Sequence, residues 1–340
     1  MSLTGVDISV IMPVFNVEQY LPACLDSIIE QKGCQIEVIA VDDCSTDNSL
    51  SILKRYQKEY EASDKITFTI IALKQNKGPG VARNKAIKKA QGTYTFFVDS
   101  DDLVKPNTFD ALIKTAKENL AEIVIFPYTL WRDTTHSEGE MFPNDKEILE
   151  NSLKGQAQRN IILQDVPRLL VMNNYPWNKL YQTRFLHEKN IRFSDVRLNE
   201  DIYIHWQSLL LAEKITVADH VAYTHRLFQS GQQQVTNCFD ERRFDLFTVL
   251  TEVDTLIHDN PKLMKDFYPY FLLFKIEILR WARDRMPDDL LEPFNQKVEN
   301  SMDLFSRKDY LLGANIMPNV YAEMLKIKLK IHPGFASSFL

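Results

Sequence analysis

Three carboxylates fall within four positions at Asp99, Asp101 and Asp102, with Ser100 between them, directly after the apolar run Tyr94, Phe96, Phe97 and Val98. The run reads as the end of a buried strand. Like charges crowded at a strand terminus repel one another unless a cation sits among them. Carboxylate oxygens are what Mg²⁺ and Mn²⁺ prefer, and Mg²⁺ sites combine one or two protein carboxylates with substrate phosphates. The stretch therefore predicts a divalent metal that in turn holds a phosphate. The competing reading is an acidic loop that caps the helix following Pro106.

Other chemistry-bearing residues are spread along the chain. Asp43 lies in the polar turn Asp42-Asp43-Cys44-Ser45-Thr46-Asp47; it has the chemistry to accept from the imino N–H of a base, or to share helix capping with Ser45 and Asp47. Arg83 offers a bidentate partner for phosphate or carboxylate, with pairing to local acids as the plainer alternative. Asn76 and Gly78 permit a tight loop beside a ligand. Glu200 and Asp201 precede an apolar run over Ile202, Ile204, Trp206, Leu209 and Leu210, which places them at a helix N-terminus, where dipole capping alone would also explain them.

The elements that must bring these residues together alternate. Apolar β-branched runs at 7–12, 36–41, 66–73, 94–98 and 123–126 read as strands, the first stopped by Pro13. Between the first four lie helix-spaced apolar residues such as Tyr20, Leu21, Cys24, Leu25 and Ile28, and a further helix runs from Phe109 to Leu120. This rhythm predicts an α/β fold with a mostly parallel sheet covered on both faces. Ligands in such sheets bind beyond the carboxyl ends of the strands, so 13–16, 42–47, 75–83 and 99–102 should gather along one edge. Beyond about 130 the pattern is irregular: a charge-rich loop over 132–144, then mixed helix and short strands to about 226. A helical region follows from about 239, and the domain boundary is expected after 230, dividing 1–230 from 231–340.

The first βα turn, Pro13-Val14-Phe15-Asn16, contains no glycine, and Gly78-Pro79-Gly80-Val81-Ala82-Arg83 breaks the dinucleotide pattern at its last position. A P-loop is missing as well. The net charge of −6 argues against a general basic field for nucleic acid. Four cysteines show neither a CxxC pair nor zinc spacing, which points to reduced thiols and a cytoplasmic protein. No apolar run reaches the ~18 residues of a membrane span. The Lys-, Leu- and Ile-bearing run 324–331 allows peripheral contact with an anionic membrane at the inner face.

Taken in order, Pro13-Val14-Phe15-Asn16, Val41-Asp42-Asp43-Cys44-Ser45-Thr46-Asp47, Asn76-Lys77-Gly78, Ala82-Arg83-Asn84 and Asp99-Ser100-Asp101 resemble the inverting family 2 glycosyltransferases of the GT-A fold, bacterial polysaccharide type. Each piece is weak alone and specific as a set, and the likeness covers roughly residues 7 to 230. It implies a nucleotide-diphosphate sugar donor, commonly UDP-linked, a hydroxyl of a glycan or lipid-linked acceptor, and Mn²⁺ or Mg²⁺. By that resemblance Pro13, Phe15 and Asp43 contact the nucleoside, Asp99 the ribose or metal, and Asp101 is the principal metal ligand. Ser100 lies between them on the donor side. Asp201 maps to the general base and Glu200 beside it to the acceptor side, in keeping with one-step inversion, which needs one base and no covalent nucleophile. Trp177, Asn178 and Lys179 resemble the segment lining the acceptor pocket, with Trp177 as plain core the alternative. His225, Arg226 and Ser230 resemble the basic residues and hydroxyl on the diphosphate, with His225 a candidate for the metal shell. A non-catalytic sugar-nucleotide sensor or scaffold on the same fold is the rival from another class. A nucleotidyltransferase would want a glycine-rich basic loop near the N-terminus.

Overall fold

The computed structural model describes residues 5–228 and 239–303. Contacts divide the chain into two compact units, 1–233 and 234–340.

The first unit is built on an eight-stranded sheet. Its leading half, β1 (Ile8–Val14), β2 (Ile36–Asp42), β3 (Ile66–Ala72) and β4 (Tyr94–Phe97), is parallel throughout and ordered β3-β2-β1-β4. Helices α1 (Leu21–Ile29), α2 (Ser49–Glu59) and α3 (Pro79–Ile87) make the crossovers. Right-handed crossovers stepping outward from β1 to β3 put α1 and α2 on one face, and the return from β3 to β4 puts α3 on the other. The core follows that division. Ile8, Val10 and Met12 pack with Leu25, Leu53 and Phe109 in one cluster, the last from α4 (Thr108–Asn119). Phe97 points the other way and meets Phe193 and Tyr181 edge-on.

The first strand does not stop at Pro13. It continues to Val14 in register with β2, Pro13 facing Val41. Odd-numbered residues of β1 point their backbone groups toward β4, as Ile11 does in accepting from Val98 N–H. β4 ends its pairing at Phe97 opposite Ile11, so the N–H that proline lacks has no ladder partner to lose.

The trailing half of the sheet comes from β6 (Ile123–Ile125), β9 (Gln158–Ile161), β10 (Lys179–Gln182) and β11 (Ile215–Ala218), in the order β4-β10-β6-β11-β9. β10 runs antiparallel to both β4 and β6, and β9 antiparallel to β11. A second sheet of four strands, β5-β12-β7-β8, comprises β5 (Leu103–Val104), β7 (Tyr128–Arg132), β8 (Ser137–Glu140) and β12 (Tyr223–Leu227). The expected charge-rich loop over 132–144 is therefore partly a hairpin, since β8 pairs with β7, and α5 (Pro143–Leu153) follows it. Its charges stay solvated because β8 is an exposed edge strand, as Lys- and Glu-bearing edges generally are. Helices α6 (Thr183–Glu188) and α7 (Asp201–Leu211) complete the unit. α7 is buried from Ile202 through Leu210, on every side rather than along one stripe, as a helix inside a large core must be.

The second unit is helical where described: α8 (Asp245–His258), α9 (Pro261–Arg283) and α10 (Asp288–Asp303). Phe294 of α10 packs its ring on Phe244 and Phe247, and His258 of α8 meets Tyr268 of α9. Among the described residues no helix is long and apolar enough to cross a membrane. The run 324–331 lies outside the described residues.

Candidate active site

The turns after β1 and β2 are laced together. Asn16, at φ 52°, accepts from Thr46 N–H at 2.7 Å, and its own N–H donates to Ser45 Oγ at 3.1 Å. The N–H of Glu18 donates to Asp47, and Glu18 in turn accepts from Asn48. Phe15, held between these turns, is 41% exposed although it follows a fully buried strand. An aromatic ring left in water at a sheet's carboxyl edge has a face to give to a ligand.

Asp43 is buried and does not cap a helix. Its two oxygens accept from Lys77 and Gly78 N–H, each at 2.7 Å. One carboxylate thus pins the loop after β3 to the turn after β2, with half-buried Asn76 inside that loop. Gly78 sits at φ 89°, where a side chain would be strained. Gly80 meets a different limit: a Cβ there would lie 2.6 Å from Ser194 O and 2.7 Å from Glu200 Cγ, so α3 packs directly on the Ser194 carbonyl and the Glu200 side chain.

Arg83 sits at the centre of the site. Its Nη2 donates to Asp99 Oδ1 at 2.6 Å, its Nη1 to Glu200 Oε1 at 2.8 Å, and its guanidinium lies over the Phe193 ring. The plainer alternative for Arg83, pairing with local acids, is the one found; its fork is buried between two carboxylates and not held open for a phosphate. The bridge sets the start of α7 against the acidic turn after β4. Asp201, the first residue of α7, is half-buried there. Burial, then the neighbouring Glu200 carboxylate, pushes Asp201 up to about 8 against the pull of Arg83.

The acidic turn does not cap α4. The N–H groups of Thr108 and Phe109 go to Gln31 Oε1 instead. Asp102 is fully buried and clamps β12, accepting from Arg226 N–H at 2.7 Å and lying 2.9 Å from His225 Nδ1. Burial opposes charge on His225, but Asp102, backed by Asp99 and Asp101, raises the imidazole to about 9. Arg226 Nε donates to Asp101 O at 3.0 Å. Asp101 itself is driven up to about 8 by burial and by Asp102 and Asp99. Asp101 and the second oxygen of Asp99, whose Oδ1 is taken by Arg83, are what the turn leaves for a ligand, with Ser100 buried between them. Among the described residues no three His, Cys, Asp or Glu side chains group so as to hold a metal ion by themselves. Ser230 lies outside the described residues.

Trp177 is not an open platform. Its indole is 1% exposed, stacked at 4.3 Å on Tyr175 and at 4.5 Å on Tyr223, with Tyr128 edge-on. Asn178 and Lys179 are buried too; Lys179 Nζ donates to Tyr175 O at 2.6 Å and to Asn178 Oδ1 at 2.7 Å. Burial lowers the Lys179 ammonium to about 7. These three residues form a mount, because an apolar segment beside a strand buries its bulky rings first.

Comparison with known proteins adds the family. The model of "Glycosyl transferase family 2" matches residues 9–187, more than half of the chain. The chain belongs to glycosyl transferase family 2. Among family 2 relatives, the glycosyltransferase GlyA of Streptococcus pneumoniae is 32% identical over 67% of this chain and 32% of its own length. The poly(ribitol-phosphate) beta-glucosyltransferase of Bacillus spizizenii is 30% identical over 66% of this chain and 33% of its own length. The chain thus spans about a third of these relatives. A crystal structure of Staphylococcus aureus TarS 1–349 in complex with UDP-GlcNAc superposes with a TM-score of 0.74 at 20% identity, covering 98% of this chain and 92% of that one. The shared architecture is the GT-A fold with a helical C-terminal region.

Proposed function

We propose that this chain transfers a sugar from a UDP-linked donor to a hydroxyl of a glycan or polyol-phosphate acceptor with inversion, with Asp201 as base and a divalent cation at Asp99 and Asp101. The observation that carries the reading is the Arg83 bridge, which joins Asp99 of the acidic turn to Glu200 at the start of α7. Family membership supports sugar transfer, and the UDP-GlcNAc complex of a protein of the same fold supports a UDP-sugar. The poly(ribitol-phosphate) transferases among the relatives support a polymeric polyol acceptor.

Within this reading Phe15 offers its exposed ring to the base while Asp43 fixes the loops around the nucleoside. Asp99 and Asp101 fit a hard cation that takes two protein carboxylates and completes its shell with phosphate oxygens. His225, whose Nδ1 is held by Asp102, would reach such a cation through Nε2 only by giving up the proton that Asp102 holds on the ring up to about pH 9. Bound there, the cation supplies charge stabilisation for the departing diphosphate. Asp201 takes the proton of the acceptor hydroxyl, for which it must itself be ionised. Arg83 keeps Asp201 aimed by holding Glu200.

The test is release of UDP from UDP-GlcNAc and UDP-glucose, with a ribitol-phosphate oligomer and with Mn²⁺ added or chelated. Acceptor-stimulated, metal-dependent UDP release is expected. UDP binding without turnover under any of these conditions would favour a sensor or scaffold.

A further inference from the structure

The aromatic stack beside the acidic turn has an order that the buried rings do not explain. Tyr223 stands at one end, and its hydroxyl accepts from the N–H of Asp99 at 3.0 Å. Trp177 lies in the middle, within 16° of parallel to one neighbour and 9° to the other. Tyr175 ends the stack. Unlike Trp177 it is half-buried, and its ring lies 5.4 Å from that of His225. Its backbone carbonyl is gripped by the buried Lys179 ammonium and its edge by Tyr128. That terminal ring is fixed on its inner side by Trp177 and Tyr128 and stays only half-buried, beside the imidazole of β12. Burial and then the charges of Asp145, Asp201, Asp102 and Asp99 hold its hydroxyl protonated, a neutral donor.

We propose that Tyr175 is the saccharide-contacting ring of this site, presenting a flat face and a hydroxyl donor to the sugar or polyol at the point of transfer. This rests on the transferase reading above. Two sources supply that chemistry, the sugar of the donor and the acceptor, and both present C–H faces that pack on an aromatic ring. The residues before β10 divide the work: Trp177, Asn178 and Lys179 are the mount, and Tyr175 is the surface they hold.

The test uses Tyr175→Leu, which keeps apolar bulk against Trp177, and Tyr175→Phe, which keeps the ring. Dissociation constants for UDP and for UDP-GlcNAc are measured by calorimetry, and KM for a ribitol-phosphate oligomer by UDP release. UDP affinity is expected to stay within about twofold of wild type in both variants, which also reports that they fold. Loss of a stacked ring in Tyr175→Leu should cost about tenfold in saccharide recognition. A loss confined to UDP-GlcNAc places the donor sugar on Tyr175, and a rise confined to the oligomer KM places the acceptor there. Tyr175→Phe should lose less than Tyr175→Leu in the same measurement. Unchanged values for both ligands, or UDP weakened as much as UDP-GlcNAc, overturn the assignment while leaving the transferase reading intact. A wild-type protein that binds no UDP overturns that reading and this one with it.

Discussion

The guanidinium of Arg83 holds the carboxylate of Glu200 at 2.8 Å, joining helix α3 to the residue that precedes Asp201. Both side chains are nearly sealed from water, at 6% and 10% exposure. Removing one partner of such a pair strands the other charge. Arg83→Met should therefore cost about 3–5 kcal/mol, read as a shift in the urea midpoint. Adding Glu200→Gln to it should recover part of that loss, and a fully additive double variant would deny the coupling.

Asp201→Asn keeps the shape of the helix start and removes the base. Transfer should fall by about 10²- to 10⁴-fold with UDP affinity within about twofold of wild type. An equal fall in both would move Asp201 out of the role of base.

The pH profile follows from the environment of Asp201. Its proton is held more tightly than the ordinary aspartate value of about 3.9, up to about 8, chiefly through burial. Only the ionised form takes a proton, so kcat should climb as pH rises through about 8 and flatten above. A profile already flat from pH 5.5 upward would place the working carboxylate elsewhere.

Asp101→Ala removes one of two adjacent carboxylates offered to the cation. Mn²⁺ binding in the presence of UDP, followed by the loss of the free-ion paramagnetic signal, should weaken at least tenfold, since one carboxylate and the phosphates remain. Chelation should abolish turnover in the wild-type protein and leave its urea midpoint unchanged.

Asp43→Ala leaves the N–H groups of Lys77 and Gly78 without their acceptor. A buried donor left unmade costs about 1–3 kcal/mol, and the loosened loop should weaken UDP binding. Backbone amide exchange at Lys77 and Gly78 is the direct measurement; protection equal to wild type would show that the loop is held by something else.

The parallel half of the sheet was legible because its strands and helices alternate with clear periodicity, and the charged turns fall at strand ends by that same rhythm. Long-range partners decide the rest. Pro13 looked like a stop because the sequence does not say that β4 ends beside it. The 132–144 stretch looked like loop because an exposed edge strand carries no apolar alternation. Trp177 stays open in the sequence between pocket lining and plain core because indoles serve as both, and only the stacked neighbours Tyr175 and Tyr223 separate the two uses. Asp102 escaped notice as a clamp: it stands in an acidic run with Asp99 and Asp101, and its partners on β12 lie more than a hundred residues away. Tyr175 had one faint signal, an aromatic residue just before Pro176.

The reversed direction of β10 has a consequence for how such a chain diversifies. Parallel strands deliver to the ligand edge the residues that come after them; a strand turned against its neighbours delivers the residues that come before it. Leu180 opposite Phe96 fixes that delivery beside the acidic turn. The stretch upstream of Lys179 is thereby tied to that turn as well, since Trp177 stacks on Tyr223 and Tyr223 holds the Asp99 N–H, so a change of length there would be felt at the acidic turn while the loops that Asp43 and Asn16 lace together stay as they are.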